Sequence, residues 1–590
     1  MELTDWYLAH GLNGCNLSFL LITLLVAMVT PWVLPGLLLV RLVQGEKSPH
    51  DLALALVVGL AGAAVFGTAA RWLGAPATWP VLAICLACAP GVWRQGPSLV
   101  ARTDLFIVGG LTLVFGIPLL GEIVPPGGDM SMHTLFVRWI DESVLFPQTL
   151  APFLPDARFD AYTIGFHFAS VLTLWKIPAS LLRVIVMIGL SFVLFGWSIF
   201  YLFRRQGRET ATAIAAMLVV MASRNPQSYV GWGGAPTVLS AALALVGVRL
   251  ILNAWHSSTW RGAALGAMVL AGGALCHPTA GLVMAPLLAV GMIVMIVQRG
   301  IPSLALGKLL VALVVGVACV LPFLLFMQTE FSQAERHFIM EEMRQPPQSP
   351  LPGLGKALAF LPYTVGDAVL ILAGVALVGC MIRRQWKVLM GIVALTLVWI
   401  IAYLGTWSAF PLAPFIFPGR VAMYAVPCLG WILVCGFEIM GLEGRNWRSR
   451  RVSDLAVHGA VLALLLSSLT YVQQWYHRGI EAGREVVPAD LECMIWIREN
   501  TPDDVLIATR RGGPGRWIPS LTDRWTTRWH LNNAWHDERD NAIAGRIPDL
   551  VYIDRRHPSE AKYGVRLDGD VVFSNSAGDR LREIRRVPGD

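Results

Sequence analysis

The chain has 590 residues, 55% hydrophobic and 14% charged, with a formal net charge of +7 and a mean hydropathy of +0.59. A soluble globular protein carries about 25% charged residues, so a soluble enzyme is excluded; uniformly apolar runs also exclude a β-barrel, whose strands alternate in short segments. The modest positive balance falls in short loops between apolar runs, as in cytoplasmic loops of membrane proteins, and gives no reason to invoke nucleic acid.

The first fourteen residues, MELTDWYLAHGLNG, contain no Lys or Arg and so lack the basic region of a cleavable signal peptide. Apolar runs long enough to cross about 30 Å of hydrocarbon follow at roughly 17–40, 52–73, 78–93 and 105–121. Cys85 and Cys88 form a CxxC inside one of them, VLAICLACAP, where small buried thiols are ordinary packing residues.

The stretch GDMSMHTLFVRWIDE, Gly128–Glu142, comes next. On a helix from Asp129 to Phe146, a turn of 100° per residue places Asp129, His133, Phe136 and Ile140 on one stripe, flanked by Met132 and Trp139. Thr134, Arg138, Asp141 and Glu142 fall opposite, on the face expected to be wet. A carboxylate on the apolar side is costly unless it is paired or used. Two readings stand. Asp129 caps the helix N-terminus, or it is a general base at the membrane interface, with His133 one turn deeper, orienting it or contacting phosphate or a metal.

Asp156, Asp160 and His167 follow. The apolar segment 162–175 is short for a span and reads as a re-entrant or interfacial helix, which makes 122–180 one long external loop. Further spans are expected at 181–203, 210–223, 235–254, 262–276, 279–298, 306–327, 357–382, 388–406, 418–440 and 455–475, about fourteen in all. RRQGR (204–208), RRQWK (383–387) and RNWRSRR (445–451) belong in the cytoplasm. Both termini then lie outside, and Arg224, His277, Arg336, Arg344 and Arg420 share the outer face with Asp129, His133, Asp160 and His167. His277 either caps a helix or meets substrate. The charged segment 330–344 is either a loop that orders over substrate or a surface helix.

After Tyr476 the pattern changes. ADLECMIWIREN reads as a helix, VLIATR (505–510) and DLVYIDRR (549–556) as strands, and DGDVVFSNSAGDRLREIRRV as a hairpin turning at NSAGD. TRRGGPGRW fits no phosphate-loop spacing and reads as a loop. Trp529–His536 either stacks on a glycan or packs within the domain. The expected division is 1–121, N-terminal transmembrane helices; 122–180, the long loop; 181–475, a transmembrane core; and 476–590, a small soluble extracytoplasmic α/β domain. The fold class is a polytopic α-helical membrane protein of the cytoplasmic (inner) membrane.

Taken in order, these pieces are an acidic residue and a His in the first external loop, YTIGFHF (162–168) closing it, GWGGAPTVLSAALAL opening a later span, CHPTAG (276–281), FIFPGRVAMYAVPCLG (415–430) and WIRENTPDDVLIAT in the tail. The order resembles the GT-C superfamily of polytopic glycosyltransferases, which use sugars carried on polyprenyl phosphates, and is most similar to bacterial members with extra N-terminal helices. The resemblance covers roughly 104–590. It implies that Asp129 is the catalytic acidic residue of the first loop and that Arg420, at the start of a late span, meets the carrier phosphate. The loop has no DxD and the tail no WWDYG, which leaves metal dependence (Mg or Mn, with Asp129 and His133 as ligands) and a protein acceptor open.

Physical chemistry leads part of the way independently. A sugar on a polyprenyl phosphate requires an apolar groove among membrane lipids, a cation for the phosphate and a base at the interface. Arg supplies the cation through its fork of donors. The expected function is transfer of a sugar from such a donor to a glycan, lipid or protein acceptor, inverting, with Asp129 as base and His133, Asp160, His167, Arg224, His277, Arg336, Arg344 and Arg420 binding substrate. Two alternatives are a lipid-linked glycan flippase, against which stand the absence of an internal repeat and the clustering of ionisable residues on one face, and an O-antigen ligase or polymerase, whose long catalytic loop comes late in the chain.

Overall fold

The computed structural model describes residues 51–72, 102–142, 149–150, 154–158, 163–173, 180–204, 210–256, 260–299, 305–334, 364–407, 413–416, 418–439, 470–509, 513–526, 549–553, 570–575 and 578–583, together with the single positions 36, 40 and 355. The expected spans 78–93 and most of 17–40 and 455–475 lie outside them, as do Cys85, Cys88 and Trp529–His536.

Apolar runs become helices: α1 (Asp51–Trp72), α2 (Arg102–Leu111), α5 (Ser180–Arg204), α6 (Thr210–Met221), α7 (Ala235–His256), α8 (Arg261–Cys276), α9 (Thr279–Arg299), α10 (Ala305–Ala334), α11 (Asp367–Ile382), α12 (Val388–Leu404), α13 (Pro418–Ala422) and α14 (Ala425–Ile439). Between α2 and α5 lie α3 (Met130–Glu142), a hairpin of β1 (Thr149–Leu150) and β2 (Leu154–Arg158), and α4 (Gly165–Leu172). Among the described residues six helical stretches are long and apolar enough to cross a membrane, and five more apolar helices are shorter. The protein is a multi-pass helical membrane protein. Residues 330–334, expected in a loop or surface helix, are the last turns of the 30-residue α10.

Small residues bring the bundle centre together. A Cβ on Gly247 of α7 would lie 2.6 Å from the Leu270 nitrogen of α8, and one on Gly272 of α8 would lie 2.7 Å from Ala61 of α1. Backbones approach this closely only where side chains are absent, the usual means of helix association in lipid. α2 does not end as a regular helix. It passes into a π turn at Thr112–Gly116 and a 3-10 turn at Ile117–Gly121 with Pro118 in it. The Phe115 carbonyl in that turn accepts the hydroxyl of Tyr476 at 2.9 Å, so the end of α2 is tied to a helix over 470–483. α4 has eight residues, about 12 Å of helix, well short of the hydrocarbon thickness.

The tail begins with α15 (Pro488–Asn500), whose first turn carries Pro488 and Asp490; the Val487 N–H donates to the Asp490 carboxylate at 2.8 Å, closing the helix start. β3 (Leu506–Ala508), α16 (Ile518–Thr522), β4 (Trp525–Thr526), β5 (Leu550–Ile553), β6 (Val571–Ser574) and β7 (Arg580–Glu583) follow. The sheet order is β4-β3-β5-β7-β6. β3 runs parallel to β4 and β5, and β5 pairs antiparallel with β7 in register Tyr552↔Leu581. Leu-Val-Tyr-Ile in β5 is buried throughout, as expected of a central strand covered on both faces. The hairpin β6–β7 turns through Asn575–Asp579, where Gly578 takes φ +91.

Candidate active site at the junction of the first loop and the tail

Asp129 is half-buried and stands immediately before α3, in the N-cap position. Its N–H donates to the Trp232 carbonyl at 3.2 Å, and its carbonyl accepts the His133 N–H at 3.1 Å. The helix thus starts one residue later than expected, and the described part ends at Glu142. Two glycines in left-handed conformations make the seat: Gly127 (φ +117) and Gly233 (φ +95). A Cβ on Gly233 would lie 2.8 Å from the Asp129 Cβ, and one on Gly127 only 2.4 Å from the Gly233 nitrogen. The Gly127 N–H donates to Gly483 at 2.9 Å, and a Cβ on Gly231 would meet the Gly479 carbonyl at 2.9 Å. Three segments far apart in sequence therefore touch backbone to backbone beneath Asp129, an arrangement only glycine permits.

One turn into α3, His133 is buried. Its Nδ1 lies 2.9 Å from Nε2 of His167 on α4, and Phe136 and Phe166 pack around the two rings. Burial pushes the His167 imidazole down to about 3, so this ring is neutral at ordinary pH. His277 occupies the turn between α8 and α9 and does act as a cap: its Nδ1 accepts the Thr279 N–H at 3.3 Å. Burial, then the nearby charges of Arg420 and His133, hold its imidazole well below the usual histidine range. Arg420, in the short α13, sits 5.7 Å above the Trp232 ring. The Gly419 carbonyl beside it accepts the Tyr229 hydroxyl at 2.5 Å and the Asn225 amide at 3.5 Å, and Tyr229 packs on Trp232 with centroids 4.8 Å apart. Asp129, Trp232, Arg420, His277, His133 and His167 form one connected cluster. A carboxylate, a cation and a neutral buried imidazole at the end of apolar helices can accept a proton and hold an anion.

No protein-family model matches the chain, and no curated protein does. Solved structures do. ArnT from Cupriavidus metallidurans, bound to undecaprenyl phosphate, is 13% identical over 82% of this chain and 98% of its own, with a TM-score of 0.51. Its apo structure is 13% identical over 81% of this chain and 97% of its own, with a TM-score of 0.51. The chain shares the fold of ArnT.

Within this fold the sequence-derived residues divide. Asp129, His133, His167, His277 and Arg420 come together. Arg224 packs its guanidinium 4.4 Å over Trp475. Asp160, Arg336 and Arg344 lie outside the described residues. Among the described residues no group of three or more His, Cys, Asp and Glu is arranged to hold a metal. Reading the sequence missed Tyr229 and Trp232, which build the floor under Arg420, and Glu485 and Arg516 of the tail. The Tyr-Val-Gly-Trp-Gly-Gly run was a signal, since aromatic residues among glycines mark close backbone approach beside a platform. In TRRGGPGRW, expected to be a loop, Pro514–Trp517 form a 3-10 turn, and Arg516 in it reaches the Gly128 carbonyl.

Proposed function

We propose that this GT-C-fold protein is a membrane glycosyltransferase that moves a sugar from a polyprenyl-phosphate donor to a hydroxyl-bearing glycan, lipid or protein acceptor at the outer face of the cytoplasmic membrane. The observation that carries the reading is the cluster joining Asp129 to Arg420 through Trp232, in a fold shared with a structure of ArnT bound to undecaprenyl phosphate. Asp129 accepts the acceptor's hydroxyl proton as its oxygen attacks the anomeric carbon, and the bond from that carbon to the phosphate oxygen breaks with inversion. Arg420 neutralises the charge left on the departing phosphate, where its fork of donors suits two oxygens. His277 and His133 line the same place, and His167 lies against the His133 ring.

The test is transfer of radiolabelled sugar from synthetic polyprenyl-phosphate donors by the purified protein in detergent. Asp129→Asn keeps an oxygen at the cap position but cannot accept a proton. It should leave folding and carrier binding intact and lower transfer by about 100-fold or more. Near wild-type transfer by a folded Asp129→Asn protein removes Asp129 as the base.

A further inference from the structure

The residue before Asp129 is held from the tail. Arg516 Nη1 donates to the Gly128 carbonyl at 3.4 Å and to Glu485 Oε1 at 3.3 Å, so one guanidinium nitrogen bridges the first loop and the start of the tail. Gly128 admits it because it has no side chain: a Cβ there would lie 2.6 Å from this nitrogen and 3.7 Å from Glu485 Oε1. Arg516 and Glu485 are only 19% and 15% exposed, a setting in which losing one partner of a pair leaves the other poorly solvated. Both are anchored independently. Arg484, just before Glu485, pairs with the buried Glu122, and Gly483 accepts the Gly127 N–H. Arg516 belongs to the 3-10 turn Pro514–Trp517, which follows Gly513 (φ +74) and ends on the fully buried Trp517. The Glu485 carboxyl is raised above the usual carboxylate range, chiefly by burial, with Arg516 acting against this and the charge of Asp129 adding to it. The two carboxyl groups are therefore within electrostatic reach of each other.

We infer that Arg516 and Glu485 are a positioning pair for the reaction: together they fix Gly128 and so aim the Asp129 carboxylate at the acceptor hydroxyl. This rests on the reading of Asp129 as the base. The pair takes no part in bond making; the proton goes from the acceptor oxygen to Asp129 as described above. Its importance lies in geometry, because displacing a catalytic group by about 1 Å lowers the rate by about 100-fold.

The experiment uses the full chain in lipid nanodiscs, with Arg516→Ala, Arg516→Lys, Glu485→Gln and the double variant Arg516→Ala/Glu485→Gln. Three quantities are measured: kcat and KM for transfer from a polyprenyl-phosphate sugar, equilibrium binding of undecaprenyl phosphate alone, and backbone hydrogen exchange over 127–134. Arg516→Ala is expected to lower kcat by about 10- to 100-fold, to leave carrier binding within twofold, and to speed exchange at 127–134 without loosening α15 or β5. Arg516→Lys should recover part of kcat, and the double variant should be no worse than the poorer single one, since the two act as a unit. Unchanged kcat in a folded Arg516→Ala protein overturns the inference. So does loss of kcat together with carrier binding and faster exchange throughout the tail, which marks a role in folding alone. If the wild-type protein transfers no sugar from any polyprenyl-phosphate donor, the proposed function fails, and exchange at 127–134 still decides whether the pair holds the loop: no change there refutes it.

Discussion

Arg420 shows how much one side chain depends on its backing. Its guanidinium faces the Trp232 ring while the carbonyl of Gly419 is held by Tyr229 and Asn225, so both its plane and its origin are set. Such a platform favours Arg over Lys, which has neither a flat face to stack nor a forked set of donors. Arg420→Ala is expected to weaken undecaprenyl phosphate binding by at least about tenfold, in line with roughly 1.5–3 kcal/mol for a hydrogen bond to a charged group. Arg420→Lys should restore only part of it. Titration of the purified variants with the carrier measures this, and equal affinity in the Ala variant takes the phosphate role from Arg420. Placing Arg420 at the start of a span was within reach of the sequence; its aromatic floor was not, because Trp232 lies 188 positions earlier and nothing in local spacing connects the two.

At the scale of elements, α3 is the informative case. The pairing of Asp129 and His133 with its apolar stripe was legible from periodicity, and His133 is indeed buried. The opposite face is wet only at its end, where Asp141 and Glu142 are exposed. Thr134 is fully buried, and Arg138, expected in water, is only 18% exposed in its side chain, bonded to Glu142, Asp523 and the Ser520 carbonyl. Asp141 pairs at 2.7 Å with Arg183, a buried residue of α5. A polar face that meets another polar surface has the same pattern as one that meets solvent, so sequence periodicity could not separate them. The strands β3 and β5 were legible as β-branched apolar runs, whereas the two-residue β4 is too short to carry a period. The glycine seat gives a sharp test. Gly233→Ala places a Cβ in a left-handed conformation, at about 1–2 kcal/mol for the backbone alone, and 2.8 Å from the Asp129 Cβ. Transfer should fall more than thermal stability does, because the displaced group is the proposed base. A variant with a lowered Tm and full kcat speaks against the seat as a determinant of Asp129 geometry.

For the molecule as a whole, the class and the sheet-bearing tail were legible from hydropathy and its abrupt end, since a span must be apolar over its full length. Orientation is a separate matter, governed by where Arg and Lys accumulate. With 204–208, 383–387 and 445–451 in the cytoplasm, a single cysteine introduced as Gln206→Cys in a cysteine-free background should be silent to an impermeant thiol reagent in intact cells and reactive after permeabilisation. Labelling in intact cells inverts the topology and moves Asp129 to the other side.

The bonds between the first loop and the tail also govern when the protein can begin to work. Ser520 donates to the Ser131 carbonyl across 389 positions at 2.7 Å, and Arg516 reaches Gly128 across 388. Contacts so distant in sequence form late. During synthesis Asp129 leaves the ribosome near the beginning and waits for most of the chain before its surroundings exist. An unfinished chain, even with its apolar helices already inserted, has Asp129 but not the backbone and side-chain contacts that hold it in place.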